Sequence, residues 1–398
     1  MPGEAERADD DAALIKRPPA ELVRYIEEPR ELIGGNSVRL LRNGAQVFPR
    51  WIEAIDNARH RVSMEMYIFA DDKIGERFAD ALCRAARRGV TVRLLYDFIG
   101  CRFTSPTFFM RLRRAGVHTI VYHAYRFWRP RFWTLFRRNH RKTLVCDGQI
   151  AFTGGVNIAD EWLPVEEGGG GWLDSAVELR GRAVPVLEGE FLRVWNRRAR
   201  RKARLDPKNL TVPAPAGDTR LAIVANTELL DRFAIRRAAL HALRESKTRA
   251  FLANPYFVPD RGFLRGLCRA AARGVDVRLL VPARSDHPIL DYAARATFPA
   301  LLKAGVRIFQ HRRVVHSKAL LVDDDFVSLG SYNLDHWSLA YNLEVVVNTL
   351  DRAYHADVLR MLEEDMASGE EITLEAFRDR PLINRLLEKL AYKLRLWL

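Results

Sequence analysis

Cysteine is scarce: Cys83, Cys101, Cys146 and Cys268 are the only four in 398 residues, widely and irregularly spaced. That pattern makes neither a disulfide framework nor a zinc site, and reads as small apolar residues in a reducing compartment. Long apolar runs are missing too. The charge-free stretch from Gly148 to Ala159 contains glycines and Asn157, and falls well short of the ~18 apolar residues a spanning helix needs. The opening residues, MPGEAERADDDAAL, lack the apolar centre of a secretory signal. They read as a disordered tail on a chain expected to stay in the cytosol. At 48% apolar and 29% charged, the chain is neither disordered nor fibrous, and its length suggests two or three domains. Acid residues are outnumbered, 50 against 64 Lys and Arg. The resulting +14 favours a polyanionic partner: nucleic acid, an anionic bilayer surface or a phosphate-bearing substrate.

The chain contains an internal repeat. Leu82–Leu95 (LCRAARRGVTVRLL) and Leu267–Leu280 (LCRAAARGVDVRLL) agree at twelve of fourteen positions, 185 residues apart. Each reads as the end of an amphipathic helix, a glycine stop (Gly89, Gly274) and a following strand. Strands are also predicted upstream of each, at Val62–Phe69 and Ala250–Val258, so the repeated unit is α/β and domain-sized. The basic string Asn196–Arg204 and a proline-rich stretch mark the boundary between copies. The predicted organisation is an N-terminal tail over 1–35, a first domain over 36–205, a linker over 206–218, a second domain over 219–380 and an amphipathic helix over 381–398. Each domain is expected to be a mixed β-sheet flanked by helices, the two related by a pseudo-twofold axis.

Chemistry-bearing residues recur in both copies. His140-Arg-Lys142 is followed by Asp147, and His316-Ser-Lys318 by Asp323: H-x-K-x-x-x-x-D twice. Six residues after each Asp comes a turn ending in Asn, Gly154-Gly-Val-Asn157 and Gly330-Ser-Tyr-Asn333. Residues two apart on a strand share a face, so each His-Lys pair is expected to point into one cleft. Asp147-Gly148 and Asp323–Asp325 are hairpin signals that return Asn157 and Asn333 toward those pairs. The motif aspartates are counted with the catalytic set, although this position suits them to organising the hairpins.

The doubled motif resembles that of the phospholipase D superfamily. Within it the chain is most similar to compact bacterial cardiolipin synthases, through Met66-Tyr-Ile-Phe with Asp72-Lys-Ile-Gly75, Asn254-Pro-Tyr-Phe-Val-Pro-Asp260 and the run from Ser331 to Glu344. The resemblance implies catalysis by His140, Lys142, Asp147, His316, Lys318 and Asp323, with Asn157, Asn333 and Ser331 on the substrate phosphate. The first copy has Gly155 where the second has Ser331, so a hydroxyl donor is expected on one side only. Neither metal nor cofactor is implied. Lysines and amides would neutralise a phosphodiester, one neutral imidazole would attack phosphorus and a second would protonate the leaving alkoxide. Asp174 and Glu344 are the carboxylates expected to orient the rings. Family habit gives the attack to His140.

The implied activity is a phosphatidyltransferase making cardiolipin from two phosphatidylglycerols, with a lipid hydrolase or a metal-independent nuclease as alternatives. Phosphatidylethanolamine as donor also stays open. Tyr125–Arg138 interleaves aromatics with arginines, and Leu382–Leu398 places leucines opposite Asn384, Arg385, Glu388, Lys389 and Lys393. Both suit a headgroup boundary, although the terminal helix reads equally well as docked on the protein. The expectation is a monomer, peripheral on the cytoplasmic face of the bacterial membrane, with anionic phospholipid rather than nucleic acid as partner. Glu166–Gly171 is expected to be a flexible loop, with a lid as the alternative.

Overall fold

The computed structural model describes residues 23–28, 32–124, 137–199, 201, 204–228 and 231–395. The aromatic-basic segment Tyr125–Phe136 and the last three residues of the C-terminal stretch therefore lie outside the described residues.

The first half runs β1 (Ile33–Arg42), α1 (Asn43–Asn57), β2 (Arg61–Met66), α2 (Lys73–Arg87), β3 (Thr91–Asp97), α3 (Pro106–Arg114), β4 (His118–Tyr122), β5 (Thr143–Cys146), β6 (Ile150–Gly154), β7 (Ser175–Gly181) and α4 (Val184–Arg198). The second half runs β8 (Thr219–Ala225), α5 (Ala234–Glu245), β9 (Arg249–Ala253), α6 (Arg261–Ala272), β10 (Asp276–Pro282), α7 (Pro288–Arg295), α8 (Phe298–Lys303), β11 (Arg307–His311), β12 (Ala319–Val322), β13 (Phe326–Gly330), α9 (His336–Ala340), β14 (Val345–Leu350) and α10 (Arg352–Ala367). It closes with β15 (Glu370–Ile372), α11 (Leu374–Arg378) and α12 (Leu382–Lys393).

All fifteen strands form one mixed sheet, ordered β15-β11-β10-β9-β12-β13-β14-β8-β1-β7-β6-β5-β2-β3-β4. Read outward from the centre, the two halves share an order of seven strands, to which the second adds β15 at its edge, and β1 joins β8 antiparallel across the middle. Among the strand ladders, parallel pairing is confined to the βαβ portions, β2-β3-β4 and β9-β10-β11. The duplication is thus a mirrored strand order within one continuous sheet. One apolar core sits under α1, α2 and α3, and a second under α5–α8. α4 and α10 cover the opposite face, where the core runs through both halves.

Local chemistry explains the matching halves. Asp72 and Asp260 cap α2 and α6 by accepting N–H groups of Gly75, and of Gly262 and Phe263. Gly89 and Gly274 end those helices at φ +89°, which a side chain rarely adopts. The stretch read as a tail differs from expectation in part. β1 starts at Ile33, and Tyr25 is buried in the second core, where its hydroxyl donates to Asp323 at 2.6 Å. An aromatic ring with a satisfied polar tip is what makes that short segment dock.

The motif aspartates hold the hairpins. Asp147 has φ +54° and Asp323 φ +51°. Asp147 accepts the N–H groups of Arg59, His60 and Arg61, each at 2.8 Å. Asp323 accepts those of Lys247, Thr248 and Arg249. Each therefore clamps its β5–β6 or β12–β13 turn to the start of β2 or β9. Burial alone would raise the Asp147 carboxyl, but the three N–H groups outweigh it and hold it below the ordinary carboxylate range.

We expect Asp147→Ala to lower stability by about 2 kcal/mol, through three lost charge-assisted acceptors and a side chain ill suited to positive φ. Urea denaturation checks this. The folded-state pKa of Asp147 is depressed, so its contribution is complete above ~pH 4 and lost as pH falls through the lower folded value. The gap between wild type and variant should therefore narrow in acid. A gap that widened below ~pH 4 would contradict the assignment.

Candidate active site

His140 and Lys142 were expected on a strand, but both precede β5, and His316 and Lys318 likewise precede β12. The reason is that each His-x-Lys run pairs with the other half. His140 N donates to Leu343 O and Leu343 N to Arg138 O, while His316 N donates to Leu173 O and Leu173 N to Val314 O. Each of these leucines directly precedes a carboxylate. The exchange delivers Glu344 to His140 and Asp174 to His316: Nδ1 of His140 lies 3.0 Å from Glu344 Oε1, and Nδ1 of His316 lies 2.7 Å from Asp174 Oδ2. Each ring is thus oriented by the opposite half.

The alternation survives without a strand. In the first half Asn139, Arg141 and Thr143 turn to one side and all donate to buried Glu65, at 2.9, 3.1 and 3.0 Å. His140 and Lys142 turn to the other. In the second half the reverse side carries Val315, Ser317 and Ala319, with Ser317 bonded to Ser175 at 2.5 Å. A buried ionic network in one copy corresponds to a mostly apolar contact in the other.

His140, His316, Asn157 and Asn333 line one cavity of about 750 Å³. Lys142 and Lys318 are buried behind the rings, each ammonium donating to the carbonyl of its own histidine. Lys318 Nζ also lies 2.8 and 3.0 Å from the two ring nitrogens of His316. Asn157 Oδ1 accepts from Ile68 N at 3.1 Å. Asn333 Oδ1 is buried without a partner, and turning that amide over would present its N–H groups instead.

Electrostatics follow from burial. Desolvation lowers both imidazoles, and Lys318 presses His316 down further, to about 4, against the pull of Asp174. Burial would raise Asp174 and Glu344, but their histidine and lysine neighbours outweigh it and keep both below the usual carboxylate range. With Nδ1 of each ring committed to a carboxylate, Nε2 is the nitrogen left without a proton. Burial lowers Lys318 to about 8, and burial with Lys318 nearby lowers Lys142 well below its ordinary value.

Three residues counted with the site stand away from the cavity. Ser331 does not face the cavity: its hydroxyl donates to Glu344, as does that of Ser338 at 2.8 Å. In the first copy a Cβ at position 155 would meet Asp174 Oδ1 at 2.2 Å, so glycine makes room there and the indole N–H of Trp162 takes over, 2.7 Å from Asp174 Oδ2. Asp147 and Asp323 sit at the hairpin turns, beyond the far ends of β5 and β12, and do not line the cavity.

The sequence reading overlooked the rings that wall the histidines. Tyr67 stands 4.8 Å from His140 between centroids, Trp162 5.1 Å and Trp172 5.5 Å from His316, and Tyr256 6.3 Å from His316. Trp172, two residues before Asp174, was the available signal. Glu166–Gly171 is an exposed but hydrogen-bonded turn: Gly169, Gly170 and Gly171 donate to the carbonyls of Pro164, Asp160 and Leu163, between the two tryptophans of the wall. Asp335 also lines the cavity, pushed up to about 7 by burial, and caps α9.

The family described as "Cardiolipin synthase, PLD-like domain" matches residues 51–164 and 239–366. A cardiolipin synthase of Geobacillus sp. (strain WCH70) is 36% identical over 361 residues, covering 89% of this chain and 70% of that protein. Cardiolipin synthase A of Pseudomonas putida (strain GB-1) is 34% identical over 361 residues, covering 90% and 74%. Among solved structures, phosphatidylserine synthase of Haemophilus influenzae Rd KW20 superposes with a TM-score of 0.68 at 13% identity, covering 91% of this chain and 95% of that one. That last likeness is one of fold.

A tetrahedral oxyanion such as tungstate should bind between the two lysines. Its affinity is expected to decline from pH 6 upward, because anion binding draws a proton onto a ring that rests neutral, and to decline more steeply above the Lys318 value of about 8, where that cation is also lost. Calorimetric titration from pH 6 to 10 reads this. A decline that does not steepen toward the alkaline end would remove Lys318 from the anion site.

Proposed function

The chain belongs to the cardiolipin synthase family of phospholipase D-like proteins, and from that premise we propose that it is a phosphatidyltransferase joining two phosphatidylglycerols into cardiolipin with release of glycerol. The observation that carries the reading is the exchange of carboxylates: two imidazoles, each oriented by the other half, open on one cavity backed by two lysines.

Nε2 of one histidine attacks the phosphorus of the first lipid. A phosphorus–nitrogen bond forms, the bond to the headgroup glycerol breaks, and the second imidazolium gives that alkoxide its proton. The two lysines and the asparagine amides hold the phosphoryl charge throughout. A terminal hydroxyl of the second phosphatidylglycerol then enters where glycerol left. The ring that acted as acid removes its proton, and the oxygen displaces the histidine, restoring both rings. We assign the attack to His140. Both rings rest neutral, and an arriving phosphodiester anion favours the cationic form of each, so the acid acquires its proton as substrate binds. Ser331 and Ser338 act on this chemistry through Glu344, and Trp162 acts through Asp174. The active unit is proposed to be one chain, peripheral on the cytoplasmic face of the bacterial membrane.

Labelled phosphatidylglycerol vesicles should yield labelled cardiolipin and glycerol, and labelled single-stranded DNA should stay intact. Phosphatidic acid as the sole lipid product would make the chain a hydrolase, and cleaved DNA a nuclease. His140→Asn and His316→Asn should each remove activity by about a thousandfold or more, with the double variant little worse, since the rings act as a unit. Lys142→Ala and Lys318→Ala should be nearly as damaging. Given a substrate with a good leaving group, His316→Asn should accumulate acid-labile phosphohistidine and His140→Asn should not. The mechanism fails if EDTA abolishes turnover or if either histidine variant keeps a near-normal rate.

A further inference from the structure

The seating of α12 points to a surface the catalytic reading does not use. Its buried residues are Glu388 and Ala391. Glu388 receives Nε and Nη2 of Arg380 at 3.0 and 2.6 Å, and lies 3.7 Å from Arg295 of α7. The ion-paired edge therefore faces the protein. Leu382, Ile383, Leu386, Leu387, Leu390 and Leu394 are left open, 40% to 76% exposed. A helix docked to complete a core would present the opposite side. An apolar face of this extent marks an interaction site.

That face adjoins the cavity mouth. α12 packs along α7, whose Ile289 lines the cavity and is 45% exposed. Burial disfavours protonation of His336 of α9, Arg395 at the other end of the helix is close enough to add to this, and the neighbouring Trp337 is part of the cavity wall. Phe103, also lining the cavity, is 85% exposed. Lys389 and Lys393, both exposed, supply positive charge on the same helix, in a chain of net charge +14.

We infer that the leucine face of α12, with Ile289 and Phe103 at the cavity mouth, is one docking surface for an anionic phospholipid bilayer, seating the mouth directly on the lipid. The leucines enter the interfacial region while the two lysines stay among the phosphates. A second copy is the poorer occupant, because two such helices face to face bring like charges together. The inference rests on the proposed lipid chemistry only for what the mouth receives; the docking has its own readout.

Co-sedimentation with phosphatidylglycerol-containing vesicles tests it, against pure phosphatidylcholine vesicles. Leu386→Glu with Leu390→Glu should weaken binding to anionic vesicles about tenfold or more, with an unchanged Tm because both residues are exposed. Phe103→Glu with Ile289→Glu should also weaken it, and high salt should weaken binding of the wild type. Unchanged binding in the α12 variant overturns the docking surface. If only the mouth variant binds normally, the seating of the mouth is overturned. Vesicle binding unchanged while light scattering shows a dimer becoming a monomer makes the face a contact between copies. On detergent-dispersed phosphatidylglycerol the α12 variant should turn over like wild type. If neither protein turns the lipid over but vesicle binding still falls in the variant, the catalytic reading fails and the docking stands.

Discussion

The arrangement of the site depends on one reciprocal contact: the backbone of each His-x-Lys run bonds to the segment carrying the other half's carboxylate. Two short parallel bridges, at Asn139–Leu343 and Leu173–Val315, set the rings against Glu344 and Asp174. Neither half has a complete imidazole–carboxylate pair of its own. That is a stronger reason for two copies in one chain than stability, because the continuous sheet through β1 and β8 fixes the halves rigidly enough for four buried bonds to hold their register. Because the bridges end the pleat early, the two lysines stand directly behind the rings, in a place a longer strand would have filled with cross-strand neighbours.

Burial then decides the charge state of this assembly. The two lysines, where charged, balance the enclosed carboxylates Asp174 and Glu344 while the rings are neutral. Removing any one leaves an uncompensated charge in a poorly solvated place, which is costly. The depressed lysines and imidazoles reflect the same pressure. A bound phosphodiester adds one negative charge to a balanced set, and the cheapest response is to protonate a ring. In the proposed reaction, anion binding and arming of the acid are then one event.

Much of this was legible beforehand because it was local or duplicated. The twelve-of-fourteen repeat located matching helices, their glycine stops at Gly89 and Gly274, and the following strands, since amphipathic period and a left-handed terminus are short-range signals. The His-Lys alternation predicted the shared face of each pair even though no strand forms there, because any extended backbone turns alternate residues apart. The partner of each carboxylate was not legible, since it depends on how two halves meet rather than on spacing. Ser331 looked like a phosphate donor by its place in the motif; only the approach of Glu344 shows where its hydroxyl goes. The leucine stripe of α12 was visible as a period, but which side it turns to the protein was decided by ion pairs of Glu388 with distant Arg295 and with Arg380 just before the helix.

Duplication supplied two similar rings, and what surrounds them has since diverged. Around His316 stand Trp162, Trp172 and Tyr256, with an indole holding the carboxylate. Around His140 stands Tyr67, with two serine hydroxyls holding it. An indole N–H is a donor with no rotational freedom, whereas hydroxyls can turn and also accept. Asp174 is therefore fixed as a pure acceptor, while Glu344 belongs to a network whose protons can rearrange as charge on His140 changes. That asymmetry fits different duties in one displacement: a ring that gains and loses a covalent phosphoryl group benefits from a partner that can re-solvate it, and a ring that only exchanges a proton benefits from a rigid one. The proposal that His140 carries the covalent step draws its support from that difference as well as from family habit.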